Sequence, residues 1–378
     1  MPFPTTTDKP TGATLNPEER LRYARHLALP EFGEAGQLRL TQGSVLIVGA
    51  GGLGSPVALY LAAAGVGRMG LVDDDRVDFT NLQRQVLHAT AAVGTMKVAS
   101  AAERLRELNP AVKLETYPER LDAHNAQAIV RGYSVVVDGS DNLPTRYVLN
   151  DACVRERRPL VYGAVERFEG QVSVFEPPKG PCYRCLFPEP PPLDSVPSCA
   201  EAGILGVVTA VIGSLQANEA IKLLTGVGEP LHGRLLAFDA AQGSFRTLTL
   251  KRDRTCPVCG EASRIQRSTT EHVTNARSPE RAQIRRLSPQ DLQALEAAGK
   301  PVLFLDVEAD RPADGVQSAA WATHAHIPLA CLHERLDELA PWRERAVIAT
   351  CQVGAQAIKA AELLIEGGFT NVAALPRA

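Results

Sequence analysis

The chain has 378 residues, 45% hydrophobic and 22% charged, with a formal net charge of -3. Such a length and apolar content describe a globular protein of two or three domains rather than a disordered or fibrous one. The charge balance gives no whole-chain attraction for nucleic acid or an anionic membrane, and no signal peptide or run of about 18 uncharged apolar residues occurs, so a cytoplasmic protein without nucleic-acid or membrane partners is expected.

From Ser44 to about Asn150, apolar runs alternate with helical stretches: VLIVGAG, MGLVDDD, a helix through KVASAAERLREL, KLETYP, a helix through AHNAQAIV, then SVVVDGSDN. This alternation predicts a parallel sheet covered on both faces. Gly49, Gly51 and Gly54 fit G-x-G-x-x-G between the first strand and a helix, and Asp73 ends the next strand about 20 residues on, where it could meet a ribose hydroxyl. By that rule alone the nucleotide would be NAD. Arg25 in RYARH, Arg84 in NLQRQ and Lys97 in VGTMKV point elsewhere. Their convergence near the glycine turn would suit a triphosphate of about four negative charges better than a pyrophosphate of two, although each taken singly is equally a solvated helix charge. Asp141 in DGSDN falls at the carboxyl edge of the sheet and could hold magnesium on the phosphates; alone, it could equally cap a helix.

A β-rich part follows, with LVYGAVERFEGQVSVFEP and GRLLAFDAAQGSFRTLTLKR. Between them lie the loop FPEPPPLDSVPSC, too rich in proline for helix or central strand, and the helical VVTAVIGSLQANEAIKLLTG. Eight cysteines in a reducing compartment suggest metal binding or catalysis before disulfides. Cys182 with Cys185, and Cys256 with Cys259, form two C-x-x-C knuckles suited to one structural zinc ion held by four thiolates; the alternative is a set of buried thiols without metal. Cys153 and Cys331 lack a partner motif and are expected as buried hydrophobes, and His88, His324 and His326 as structural hydrogen-bonding groups.

The polar stretch Glu261 to Arg285 is expected as a linker. From about Arg286 a second small α/β unit is predicted: a helix at SPQDLQALEAAG, a strand at VLFLDV, a turn at HAHIPLA, a strand at AVIAT and a helix from about Gln356 to Glu366.

The motifs RYARH, GAGGLGS, LVDDDRVDFTNLQRQ, VGTMKV, DGSDN, GQVSVFEP, CYRC, SCAEAGILG, SLQANEAIK and CPVCG, in this order, resemble the ubiquitin-activating-enzyme-like adenylyltransferases of molybdopterin and thiamine biosynthesis, the MoeB/ThiF family, over roughly residues 15 to 260. The resemblance implies an α/β architecture in which a Rossmann-like ATP-binding adenylation domain with a mixed β-sheet half spans 15–262, followed by a linker over 263–285. It implies ATP and Mg2+ as cofactors, and activation of the C-terminal glycine of a ubiquitin-like sulfur-carrier protein ending in Gly-Gly as an acyl-adenylate. Carried across by residue, Asp73 takes the ribose, Arg84 and Lys97 the phosphates and Asp141 the magnesium, while Gly49, Gly51, Gly52, Gly54, Asp75 and Asn81 complete the nucleotide pocket. Arg25 matches an arginine that reaches the partner's nucleotide, which implies a homodimer. Cys199 in PSCAEAGILG matches a position assigned to a conjugating or sulfur-relay thiol, against which stands an inert loop thiol.

The tail, 286–378, is similar to a small α/β rhodanese-like sulfurtransferase domain, with Cys351 as its persulfide-bearing cysteine and a protein persulfide as donor. Glu308 and Gln356 stand where that family carries arginine, and Ala325 and Leu329 where it carries glycine. The tail is therefore either a working persulfide carrier or a docking domain, which would leave the chain an adenylyltransferase alone.

Overall fold

Strand β1 (Ser44–Val48) is buried along its whole length, and an apolar strand with no exposed face needs cover on both sides of its sheet. The computed structural model provides that cover; it describes residues 14–190, 203–261, 285–287, 295, 297, 299, 301–308, 322–351 and 355–376. The chain divides into two units, Met1–Val273 and Thr274–Ala378.

In the first unit, β1, β2 (Arg68–Val72), β3 (Lys113–Tyr117), β4 (Val135–Asp138) and β5 (Leu160–Glu166) run parallel. Strands β6 (Glu169–Phe175), β7 (Arg234–Asp239) and β8 (Ser244–Thr249) extend the same sheet as an antiparallel meander. The order is β3-β2-β1-β4-β5-β6-β7-β8. The chain therefore builds outward from β1 to β3, then returns to place β4 on the other side of β1. That reversal leaves a crevice outside the carboxyl ends of β1 and β4, the place where open α/β sheets receive ligands.

Three short helices, α1 (Pro17–Arg22), α2 (Ala24–Leu27) and α3 (Gly33–Gln42), precede β1. Helices α4 (Gly54–Ala64) and α5 (Lys97–Leu108) return the chain on one face, and α6 (Ala126–Arg131) and α7 (Leu143–Glu156) on the other. Strand alternation divides β1 between them: Val45 and Ile47 pack with Val57, Leu61 and Leu105, whereas Leu46 and Val48 pack with Val130, Tyr147 and Leu149. After the four-residue helix α8 (Tyr183–Leu186), the long helix α9 (Gly206–Thr225) adds Val208 and Ile212 to the first core. It is the one described helix long and apolar enough to cross a membrane, and its inner face packs on α4, β5 and β6.

Two glycines of the β1–α4 turn are there for space. Gly49 has φ +94°, and a Cβ on it would fall 2.5 Å from the carbonyl oxygen of Gly139. A Cβ on Gly54 would fall 1.8 Å from the carbonyl oxygen of Gly49. Both contacts are with backbone, which cannot step aside.

The second unit has the parallel order β11-β10-β12-β13-β9, formed by β9 (Arg285–Arg286), β10 (Val302–Asp306), β11 (Thr323–His326), β12 (Ala346–Cys351) and β13 (Asn371–Pro376). Helix α10 (Leu329–Leu332) and helix α11 (Ala355–Glu366) accompany it. The turn expected at HAHIPLA is instead an edge strand and the start of a short helix. An edge strand need not bury an apolar face, so THAH carries none of the alternation that marks a strand in sequence. Arg285, expected at the end of the linker, pairs with Ala373 in the sheet. Residues 262–284 of that linker, and most of the helix expected over 288–299, lie outside the described residues; 295 and 297 are helical.

The two glycines of the turn that look alike in sequence should behave differently. Gly54→Ala is expected to lower stability by about 3 kcal/mol or more, since overpacking against fixed backbone is poorly relieved, a fall in melting temperature of roughly 6–12 °C for a domain of this size. A Cβ on Gly51 meets only the Gln85 side-chain amide, at 3.4 Å, so Gly51→Ala should melt within a few degrees of wild type. Thermal denaturation of the two variants checks the contrast.

Candidate nucleotide site and cysteine centres

The carboxylate of Asp73, at the end of β2, accepts hydrogen bonds from the Ala50 amide (2.7 Å) and from the Asp75 amide (2.9 Å). It thus ties the glycine turn to the end of the neighbouring strand. Burial pushes this carboxyl above its ordinary value, with Lys97 and the two amides acting in the opposite direction. Lys97 opens α5, is 5% exposed, and donates to Asp75 at 2.8 Å. A buried cation at a helix N-terminus opposes the helix dipole and carries a desolvation cost, so stability alone does not account for it.

The segment 80–88 wraps the turn. The Arg84 side chain passes Gly52, with Cγ 3.6 Å from where a Cβ would be, and its guanidinium reaches the Thr80 carbonyl at 3.4 Å. Asn81 accepts from the Gln85 amide nitrogen at 3.1 Å. The Gln85 carbonyl oxygen is buried and has no partner among the described residues. His88 donates from Nε2 to the Ala50 carbonyl (2.9 Å); because that oxygen can only accept, the tautomer is fixed, and Nδ1 accepts from the Ser100 hydroxyl (3.0 Å). His88 is therefore the structural group expected of it.

Across the crevice, Asp141 is exposed between β4 and α7. The helix cap is its neighbour Asn142, which accepts from the Thr145 amide at 3.0 Å. Asp141 is thus relieved of the capping role that its sequence position also allowed. The motif's first acid, Asp138, is fully buried and paired with Arg146. Neither was singled out from the sequence, although Arg146 follows Asp138 by a fixed spacing in DGSDNLPTR.

Arg25 does not join the other cations. It is exposed on α2, and Tyr23, two residues before it, packs on Gly65 beyond the far end of α4. The eleven residues of α4 separate that end from the glycine turn by about 16 Å. The expected convergence within one chain is therefore corrected.

The four knuckle cysteines do converge. The Sγ atoms of Cys182 and Cys256 are 3.7 Å apart, those of Cys185 and Cys259 3.4 Å and those of Cys182 and Cys185 3.9 Å. All four lie within 4.8 Å of one another. A tetrahedron of thiolates about 2.3 Å from one zinc ion has edges of about 3.8 Å, so the donor set fits a metal ion.

In the second unit, Cys351 ends β12 and its sulfur accepts from the Ala357 amide in the first turn of α11 at 3.2 Å. The side chain is buried. Gln356 lies on α11 and is half-buried. His326 bonds the Glu308 carbonyl at 2.9 Å, and His324 stacks on Phe304, both structural. Cys153 is buried as expected, but Cys331 is exposed, because the short helix α10 turns it outward. Cys199 lies outside the described residues.

Comparison with known proteins places these features in a family. The ThiF family model matches residues 23–258. The maize (Zea mays) "Adenylyltransferase and sulfurtransferase MOCS3-1" is 45% identical over 369 residues, 93% of this chain and 78% of that protein. The "Sulfur carrier protein adenylyltransferase" of Thermus thermophilus is 57% identical over 249 residues, 65% of this chain and 92% of that protein. Among solved structures, that of E. coli MccB with ATP shares the fold, with a TM-score of 0.57 at 23% identity over 63% of this chain and 74% of MccB.

The buried ring of His88 gives a pH test of the site's integrity. Burial, reinforced by Lys97 and opposed by the bond to Ala50, holds its pKa below the ordinary 6.5. The unfolded chain therefore binds a proton that the folded chain refuses, and this part of the stability is complete above about pH 6.5 and lost as pH falls. Chemical denaturation at pH 7.5 and pH 5.5 should show a smaller acid loss in His88→Gln than in wild type, even though the variant starts less stable.

Proposed function

This chain belongs to the ThiF family, and we propose that it adenylates the C-terminal glycine of a ubiquitin-like sulfur-carrier protein and then directs sulfur to the activated carboxyl group. The observations that carry the reading are a buried lysine, Lys97, at the start of α5 and bonded to Asp75 beyond β2, and an exposed aspartate, Asp141, beyond β4 that does not cap α7. A dinucleotide site has no need of that pair. The relatives divide in a parallel way: the one that matches 65% of this chain is named only an adenylyltransferase, whereas the maize protein that matches 93% is also named a sulfurtransferase.

In this reading Asp73 receives the ribose, and Arg84 and Lys97 neutralise charge on the β- and γ-phosphates as pyrophosphate leaves. Asp141 would hold magnesium, which bound there supplies further charge neutralisation; one carboxylate with substrate phosphates is an ordinary set for that ion. A carboxylate oxygen of the carrier attacks the α-phosphorus, and the bond to the bridging oxygen of pyrophosphate breaks. No general base is required, because the attacking carboxylate is already ionised at pH 7. The work of the site is positioning and charge stabilisation.

For sulfur transfer, a persulfide on Cys351, loaded by a protein persulfide donor, attacks the acyl carbon and AMP leaves. The acyl disulfide so formed is resolved when a second thiol, Cys199 in this reading, attacks the Cys351 sulfur. The carrier then leaves as a thiocarboxylate, and a cellular dithiol reduces the Cys199–Cys351 disulfide. A cytoplasmic setting, in which thiols stay reduced, suits these steps. The Ala357 amide donates to the Cys351 sulfur and so fixes its direction. The four knuckle cysteines would hold zinc as a closed, structural centre.

Arg25 supports a homodimer, since it could serve a nucleotide only from a second copy. Helix α9 offers a surface for one: Val207 is exposed, Ala210, Val211, Ser214 and Leu215 line a shallow pocket on the same helix, and Thr209 abuts Gly52 of the turn.

Four measurements test these assignments. Lys97→Ala and Asp141→Ala should fold and lose roughly 100- to 1000-fold in carrier-dependent ATP/pyrophosphate exchange; near-normal exchange in both would sink the adenylation reading. Metal analysis should find one zinc per chain, and Cys256→Ser should lower the melting temperature more than it slows adenylation by the protein that stays folded; a metal-free wild type would remove the zinc centre. Thiosulfate turnover should be poor in wild type and rise in Gln356→Arg, because a neutral amide cannot offset two negative charges as a guanidinium does. Thiocarboxylate formation from a protein persulfide should vanish in Cys351→Ala; if it persists, the second unit is a docking module.

A further inference from the structure

We propose that Arg146 is a positioning residue for the metal-bound nucleotide: from within the core it fixes the backbone on either side of Asp141 and so sets where that carboxylate stands. The proposal rests on the reading of Asp141 as the magnesium ligand. Arg146 lies in the first turns of α7 and is 9% exposed, and Asp138, the last residue of β4, is 0% exposed. The Nε atom of Arg146 is 3.2 Å from Asp138 Oδ2, and Nη2 donates to the Ser140 carbonyl at 2.9 Å. Asp138 Oδ1 in turn accepts from the Ser140 amide (3.0 Å) and hydroxyl (2.6 Å). On the near side, the Gly139 amide donates to the Val48 carbonyl at 2.8 Å. On the far side, Asn142 is bound to the Thr145 amide as the helix cap. Residues 138, 139, 140 and 142 are therefore each tied down, and the one left exposed between them is Asp141.

Stability is a poor reason for this arrangement. A buried ion pair commonly does no better than apolar residues of the same volume, and a cation near a helix N-terminus opposes the dipole. Geometry is a better one. A guanidinium can donate a directed hydrogen bond to the Ser140 carbonyl while holding its charge against the Asp138 carboxylate, which a lysine ammonium cannot do with fixed directions. The ring of Tyr162, 5.1 Å from the guanidinium carbon, and the hydroxyl of Tyr183 close the remaining sides. Tyr183 belongs to the first cysteine knuckle, so the clamp on Asp141 is also packed against the metal-binding half of the unit.

The test uses the full-length protein and Mn2+ with ATP as the probe, with binding followed by the Mn2+ paramagnetic signal without any carrier present. Two variants are compared: Arg146→Lys, which keeps the charge, and Asp138→Asn/Arg146→Met, which removes both charges and leaves no unpaired ion in the core. Both should melt within a few degrees of wild type and bind Mn2+·ATP about tenfold more weakly, with the affinity for ATP in EDTA unchanged. Adding Asp141→Asn to the double variant should cost little more, because the carboxylate is already misplaced. Wild-type Mn2+·ATP affinity in both variants, an equal loss for metal-free ATP, or a full additional loss from Asp141→Asn would overturn the positioning role. If Asp141→Asn alone leaves Mn2+·ATP affinity unchanged, it is the assignment of Asp141 to the metal that falls.

Discussion

The close approach of two backbone segments, Gly49 after β1 and Gly139 after β4, is the constraint from which the site follows. The Gly49 amide is bonded to the Val72 carbonyl on one side, and the Gly139 amide to the Val48 carbonyl on the other, each at 2.8 Å. The three central strands are thereby locked together at their carboxyl ends. Because a Cβ on Gly49 would overlap the Gly139 carbonyl, the two turns can touch only with glycine there. Two of the groups that would handle the nucleotide are hung on this junction, Asp73 through the Ala50 amide and Asp141 through the loop that begins at Gly139, and the structural His88 braces it through the Ala50 carbonyl.

Around the junction the protein keeps charges where folding alone would not put them. Lys97 is buried at a helix start, Asp73 is half-buried, and Asp138 and Arg146 form a buried ion pair. Each carries a desolvation cost, and for the Asp73 and Asp138 carboxyls burial outweighs what their partners in this chain return. A cation such as Lys97, held in place before a polyanion arrives, acts more strongly on it and needs no reorganisation when charge shifts during reaction. The knuckle cysteines serve a different end. Their four sulfurs join the segment after β6 to the segment after β8, which would make a bound metal a clasp for the antiparallel half of the sheet.

Much of this was legible in the sequence, for a physical reason in each case. The glycine spacing encodes a backbone collision, Asp73 and Lys97 sit at element ends that periodicity reveals, and two C-x-x-C knuckles encode a tetrahedron. What stayed hidden depends on distance in space without a local pattern. Arg25 shares the polarity of Arg84 and Lys97, but only the packing of Tyr23 on Gly65 shows that it belongs to the far end of α4. Arg146 reads as an ordinary charged residue until the topology brings it against Ser140. The strand Thr323–His326 carries no apolar alternation because it lies at an edge, and Cys331 faces outward on a helix too short to show a period.

The central claim is that the crevice joins a carrier's carboxylate to the α-phosphate of ATP. An oxygen label follows that bond directly. A Gly-Gly-terminated carrier that stimulates exchange, labelled with 18O in its terminal carboxylate, is incubated with the protein, ATP, Mg2+ and a thiol acceptor, and the released nucleotide is weighed by mass spectrometry. The account predicts AMP carrying one 18O atom per turnover. Unlabelled AMP, or ADP as the product, would contradict it.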